Sequence, residues 1–121
     1  MEIEKVNVVE KLNQIQDHWS PKIIGLLNNQ AVKIAKFKGE FIMHHHENED
    51  ELFFVIEGKL YMELEKKTLE VLPGEFVIIP KGVAHKPYAE EETSVMLFEP
   101  NTTVNTGNIT NDRTLTDLES I

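Results

Sequence analysis

Alternation of hydrophobic and polar positions is the main pattern of the chain after Pro21. Leu60, Met62 and Leu64 alternate with Tyr61 and Glu63, which is the two-residue period of a half-buried strand. Short segments of this kind recur at intervals of about 8–12 residues between Gly, Pro and acidic turns, which predicts an all-β sandwich or barrel. The predicted strands cover residues 23–27, 31–38, 41–46, 51–57, 59–65, 68–72, 75–80, 85–89 and 94–99.

A helical pattern occurs only before Pro21. Val8, Leu12 and Ile15 fall at helical spacing, and the Ser20-Pro21 pair would end the turn, so we predict a short helix over about residues 8–18.

The remaining segments complete one predicted domain over residues 1–121, with the barrel at about residues 21–100. The tail, residues 101–121, is rich in Asn and Thr. We expect it to form an extended cover over one edge of the barrel, with a terminal strand or one turn of helix.

Composition argues against several classes of function. The chain has no Cys, which excludes disulfides, thiolate zinc sites and Cys nucleophiles. Its net charge is −9 and it has one arginine, Arg113, so neither nucleic acid nor an anionic membrane is expected as a partner. The first residues lack the features of a signal peptide, and no apolar run approaches the roughly 20 residues of a membrane span. We therefore expect a cytoplasmic protein.

Candidate chemistry is concentrated around a run of three histidines. His44 and His46 lie two residues apart in a predicted strand and project to one face, while His45 points to the other. Two neutral imidazoles on one face suit a divalent cation. The alternative is a polar turn that happens to be rich in His.

Two further residues are predicted to reach the same point. Glu51 heads the next strand, which we expect to lie antiparallel to the histidine strand, whereas the competing Asp50 belongs with the turn. His85 follows the turn at Pro80 and Gly82, and its stiff backbone would hold the imidazole in place, as a ligand requires.

These residues resemble the two motifs of the cupin family, whose members are small β-barrels of the jelly-roll type. The first motif is matched by Gly39, His44-x-His46, Glu51 and Gly58, and the second by Gly74, Pro80-x-Gly82 and His85. Two departures occur: four residues separate Gly39 from His44 where five are usual, and Ala89 replaces an Asn that carries no ligand role.

The resemblance implies a metal site and a pair of chains. It implies one divalent transition metal per chain, and ligand type does not distinguish Fe, Mn, Ni, Co and Zn. The implied ligands are His44, His46, Glu51 and His85. It also implies a homodimer, which would cover the apolar residues of the early hairpin, Ile23, Ile24, Leu26 and Leu27.

Two functions stay open under this resemblance. The first is a metal-dependent enzyme, dioxygenase- or isomerase-like, that acts on a small oxygenated molecule. The second is a non-catalytic, metal-dependent module that binds or senses a small molecule. Short cupins are often described as similar to mannose-6-phosphate isomerase, but one arginine offers little for binding a phosphosugar.

Residues outside the predicted ligand set are given ordinary roles. His45 is predicted to be a surface or interface residue, and His18 a packing or capping residue. The chain shows no clear general acid or base beyond the four ligands, which weakens any specific claim of catalysis.

Overall fold

The computed structural model describes residues 2–121, which contain one short helix and seven strands. The helix α1 spans Val8–Leu12. The strands are β1 (Lys22–Leu27), β2 (Gln30–Glu40), β3 (Glu51–Glu57), β4 (Leu60–Glu63), β5 (Thr68–Val71), β6 (Phe76–Ile79) and β7 (Lys86–Pro100).

Antiparallel pairing connects all seven strands into one sheet that is centred on β7. The strand order is β1-β2-β7-β3-β6, while β4 pairs with both β5 and β7. The first part of β7 pairs with β4, and its last part lies between β2 and β3, so the sheet curls around one interior. The predicted all-β barrel with a short N-terminal helix is confirmed.

The apolar core has two parts. The larger part fills the barrel, and the smaller part lies under α1, where Leu12 and Ile15 pack with Ile34 of β2. Complete burial of an aliphatic or aromatic side chain stabilises the fold by about 1.5–3 kcal/mol. The buried residues of the larger part are Ala35, Phe37, Phe53, Val55, Leu60, Met62, Val71, Ile79, Ala89, Val95 and Leu97.

The helix is shorter than the predicted span of 8–18, because α1 ends at Leu12. The backbone N–H groups of Gln14 and Ile15 bond to carbonyls three residues earlier, which tightens the chain into a turn. Ile15 is nevertheless buried, so the helical spacing of apolar residues reflects packing of this turn as well as of α1.

The segments 85–89 and 94–99 were predicted as two strands with an acidic turn between them, and this is wrong. They form one strand, β7, and Glu90–Glu92 lie exposed in its middle. The run stays extended because β7 is paired on both sides of it, with β2 and β4 before the run and with β2 and β3 after it. A register shift in β2, between Phe37 and Gly39, lies opposite the run, and a second shift, in β3 between Val55 and Glu57, lies opposite Ser94 and Val95.

The histidine segment 41–46 was predicted as a strand, but its only ladder contact among the described residues is an isolated bridge from His44 to His85. The segment does run beside 82–87, since the Phe41 N–H donates to the Pro87 carbonyl at 3.0 Å. A regular ladder is blocked because Pro87 has no N–H to donate in return.

The C-terminal tail consists mainly of turns and returns to β1. Its end forms a parallel bridge between Ser120 and Ile23, and the Ile121 N–H donates to the Ile23 carbonyl at 3.1 Å. No helix within residues 2–121 is long and apolar enough to cross a membrane. The cytoplasmic location stays a prediction.

Candidate metal centre

The structure brings all four predicted ligand residues together inside the barrel. One nitrogen or oxygen from each side chain lies within 4.8 Å of those from the other three. Each residue is at most 4% exposed to solvent. The four side chains belong to His44, His46, Glu51 and His85.

Main-chain hydrogen bonds fix the three histidines relative to one another. The His44 N–H donates to the His85 carbonyl at 3.0 Å, and the His85 N–H donates to the His44 carbonyl at 2.8 Å. The Gly82 N–H donates to the His46 carbonyl at 2.7 Å. The turn that precedes His85 is therefore bonded directly to the histidine segment, and the site does not depend on a regular strand there.

The ring orientation of two histidines follows from bonds to their own local backbone. His44 Nδ1 lies 2.9 Å from the Ile42 carbonyl oxygen, and His85 Nδ1 lies 2.9 Å from the Val83 carbonyl oxygen. A carbonyl only accepts, so each Nδ1 carries a proton, and Nε2 of the neutral ring is the atom that would bind a metal. Such outer bonds orient imidazoles that bind a metal.

Glu51 lies at the centre of the cluster, at the first position of β3. Its Oε1 is 3.1 Å from His85 Nε2 and 2.9 Å from His46 Nε2. The second contact is short but lacks hydrogen-bond geometry, so His46 Nε2 is buried without a hydrogen-bond partner. Lone pairs of two nitrogens and a carboxylate oxygen repel one another unless a proton or a cation lies among them. A divalent cation fits this arrangement.

The position of Glu51 was predicted for the wrong reason. β3 does not pair with the histidine segment; it pairs with β6 and β7. Glu51 reaches the cluster because it faces the barrel interior opposite Ile79, at the end of β6 that leads into the turn before His85. The competing Asp50 lies outside the cluster, where its Oδ1 accepts a hydrogen bond from the Lys81 N–H at 2.8 Å.

Burial and neighbouring charges set the protonation of the ligands. Burial lowers the pKa of His44 to about 4, although the Ile42 carbonyl opposes this change. Burial alone would raise the pKa of Glu51, but its close contacts and charge interactions with His46 and His85 outweigh burial and hold that pKa below its usual range. At neutral pH, His44 is uncharged and Glu51 is ionised, as metal ligands must be.

A cavity of about 40 Å³ adjoins the cluster, which contributes His44 and Glu51 to its wall. A volume of this size accommodates a few water molecules or the head of a small ligand. The rest of the wall is largely aromatic and aliphatic, with residues of the tail on one side. It consists of Trp19, Pro21, Lys33, Phe37, Phe41, Phe53, Pro87, Leu97, Glu99, Asn105 and Leu118.

Lys33 and Glu99 are polar residues of this cavity that sequence reasoning missed. Lys33 Nζ lies 2.9 Å from Glu99 Oε2, and both side chains are 3% exposed. Burial raises the pKa of Glu99 to about 8; the Glu51 charge adds to the rise and Lys33 opposes it. The two-residue period of the strand could have predicted that Lys33 faces inward, because Lys33 lies two residues from each of the buried residues Ala31 and Ala35.

The tail packs against the histidine segment from outside. The Asn108 N–H donates to the His45 carbonyl at 2.9 Å, and Asn108 Oδ1 accepts from the His45 N–H at 2.9 Å. Gly107 has a φ of +56°, and a Cβ there would collide with the His45 carbonyl oxygen. The His45 side chain points away from the cluster and is 31% exposed, with its Nε2 3.5 Å from Glu47.

A family model described as the cupin domain matches residues 32–101, and this stretch includes all four residues of the cluster. The chain belongs to the cupin family. Among curated proteins, this cupin is 35% identical to the uncharacterized protein YdbB of Bacillus subtilis over 81 residues, which are 66% of this chain and 72% of YdbB. It is also 31% identical to an uncharacterized protein of Aquifex aeolicus over 105 residues, and this alignment covers 80% of this chain and 85% of that protein.

The cupin is also similar to solved structures. A cupin-2 domain protein from Shewanella frigidimarina is 40% identical, with a TM-score of 0.78 over 79% of this chain and 94% of that one. Protein NMB1881 from Neisseria meningitidis is 27% identical, with a TM-score of 0.75 over 81% of this chain and all of that one (100%).

Proposed function

We propose that this cupin binds one divalent transition metal ion through His44, His46, Glu51 and His85, and that it acts on a small oxygenated molecule. The observation that carries the proposal is the convergence of two imidazole nitrogens on one Glu51 oxygen in a buried site, with His46 Nε2 unpartnered. A bound ion would supply Lewis-acid polarisation of a ligand oxygen, or redox chemistry with oxygen.

The residues around the cluster support a dry site for a small ligand. Trp19 stacks on Phe37 at 4.2 Å and on Phe41 at 5.0 Å between ring centroids, and its Nε1–H donates to the Lys38 carbonyl at 2.8 Å. These rings form a rigid apolar wall of the cavity. Exclusion of water strengthens every electrostatic contact inside the cavity.

The tail favours a second candidate function, in which the cupin binds or senses a small molecule without converting it. Asn105 and Leu118 of the tail line the cavity, so the tail would cover a ligand bound there. A cover of this kind would slow the exchange of a bound molecule, which suits a binding or sensing role.

Metal analysis and turnover assays test the proposal and separate its two forms. Protein purified without chelators or a nickel column should contain about one divalent ion per chain. Reloaded with Fe, Mn, Ni, Co or Zn, it would then be mixed with small enols and diketones while oxygen and product are followed. Turnover by one metal form supports the enzyme, whereas binding without turnover by any form supports the sensor. A folded chain that binds none of these ions contradicts the proposal.

We also propose that the cupin forms a homodimer. Ile24 of the early hairpin packs against the core under α1, but Leu26 and Leu27 are 65% and 47% exposed. Phe76 and Ile78 of β6 are exposed as well, at 58% and 52%. Light scattering at micromolar concentration should give the mass of two chains, and a monomeric mass would contradict the dimer.

A further inference from the structure

The buried pair formed by Lys33 and Glu99 faces the same cavity as the candidate metal centre. Lys33 on β2 lies opposite Leu97 on β7, and Glu99 lies two residues further along β7 on the same face. Their side chains line the cavity together with His44 and Glu51. The pair therefore belongs to the interior of the barrel, beside the cluster.

The pair has unused hydrogen-bonding capacity that points to a ligand. A lysine ammonium has three N–H donors, yet within residues 2–121 the side chain of Lys33 makes one hydrogen bond, to Glu99 Oε2. Glu99 Oε1 is buried and has no hydrogen-bond partner. Stability does not account for such a pair, because apolar residues of similar volume often stabilise a core as well or better.

The balance of charge around the cavity indicates that a ligand there would be negatively charged. A divalent ion beside the Glu51 carboxylate leaves positive charge uncompensated, since an ionised Glu99 cancels only Lys33. If Glu99 instead carries a proton, the surplus is larger. Uncompensated charge in a low-dielectric interior is strongly unfavourable, so an anion in the cavity would stabilise the loaded site.

We propose that Lys33, positioned by Glu99, binds the negatively charged oxygen of a small organic acid in the cavity beside His44 and Glu51. The proposal rests on the proposed metal site, because the surplus of positive charge requires the ion. The cavity of about 40 Å³ restricts the ligand to an acid of a few heavy atoms. Phe37, Phe53 and Leu97 line the same cavity and suit a short apolar portion of that acid.

Trp19 provides a readout of binding that does not depend on activity. It is the one Trp of the chain and lines the cavity. Metal-loaded protein would be titrated with acetate and pyruvate, and with acetamide as the neutral counterpart of acetate, while Trp19 fluorescence is followed. The acids should change the fluorescence saturably, and acetamide should not.

The decisive variant is Lys33→Met/Glu99→Gln, which removes both ionisable groups and leaves the formal net charge of the chain unchanged. Acid binding should weaken by about tenfold or more, because the anion loses its cationic partner. Metal affinity, measured by competition with a chelator, should stay within about threefold of wild type. Lys59→Met removes one exposed positive charge and should leave acid binding unchanged; its ammonium is about 4.0 Å from Glu70 on the outer surface.

The same titrations contain the results that would overturn the inference. If the folded, metal-loaded double variant binds the acids as tightly as wild type, the ion alone holds them and Lys33 has no such role. If the double variant does not fold, Lys33→Gln with Glu99 intact takes its place under the same criterion. Wild type that binds metal but no acid contradicts this inference alone, whereas wild type that binds no metal contradicts the proposed function as well.

Discussion

Two regions of the barrel interior are equally buried and differ in what fills them. The apolar region includes Leu60 and Met62, which are completely buried at 0% exposure. The polar region holds the candidate metal centre and the Lys33–Glu99 pair, whose members are at most 4% exposed. The side chains of both regions are shielded from bulk solvent to the same degree, so burial alone does not show which region binds a ligand.

Hydrogen-bond partners separate the two regions. Within residues 2–121, two buried side-chain atoms lack a partner, His46 Nε2 and Glu99 Oε1, and both belong to the polar region. An unpartnered buried polar atom costs about 1–3 kcal/mol, whereas a buried aliphatic side chain stabilises the fold. The polar region therefore destabilises the fold, as is expected of a binding site whose polar atoms are satisfied only when a ligand is bound.

Truncation in the apolar region should produce the largest loss of stability. Leu60→Ala removes a completely buried side chain and should lower the unfolding free energy by about 2–5 kcal/mol. Metal affinity of the folded variant should be unchanged. Ile3→Ala, at a residue that is 96% exposed, is the control and should change stability by less than about 0.5 kcal/mol. Unfolding free energies would be measured by denaturant unfolding. Equal losses of unfolding free energy in both variants would contradict the assignment of Leu60 to the core.

Lowering the pH should reduce the unfolding free energy of the metal-free protein, because the imidazole of His44 is buried. Burial lowers the pKa of His44 to about 4 in the folded state, against 6.5 in the unfolded chain. The unfolded chain therefore binds the extra proton first, and stability that is complete above about pH 6.5 is lost as the pH falls toward 4. The loss from this group should approach about 3 kcal/mol.

The control for this pH effect is His44→Gln, which removes the titrating ring and leaves the other groups in place. Unfolding free energies of both proteins would be measured between pH 7 and pH 4. Wild type should lose more stability than the variant across this range. Parallel curves for the two proteins would contradict the assigned protonation of His44.

A smaller effect is expected where the tail meets the polar region. Asn108→Ala removes the hydrogen bond to the His45 N–H and should lower stability by about 1 kcal/mol. Hydrogen exchange should speed up at His45. Asn101→Ala, an exposed residue at the start of the tail, should change neither quantity. Unchanged exchange in Asn108→Ala would show that the side chain does not hold the tail in place.

The fold and the cluster were predictable from sequence for different reasons. Alternating residues such as Leu60 and Met62 predicted the strands, because the pleat fixes which face is buried. The spacing of Gly, Pro and His around His85 predicted that this residue would reach the cluster through a turn.

What sequence missed depends on contacts between distant segments. No local pattern shows that the exposed run Glu90–Glu92 belongs to one long strand whose parts on either side of the run pair with three other strands. Nor does a local pattern show that Pro87 prevents a regular ladder beside His44. Lys33 and Glu99 each follow the inward phase of their strands, but only the register between β2 and β7 shows that they meet.

The central claim is that four separated residues act as one metal site, and chelator competition on two single variants tests it most directly. His85→Ala should lower metal affinity by about 100-fold or more, because it removes one of the four converging ligands. His45→Ala, which lies within the histidine run but points away from the cluster, should stay within about threefold of wild type. Equal losses from the two variants, or no loss from His85→Ala, would contradict the assignment and favour a local polyhistidine site.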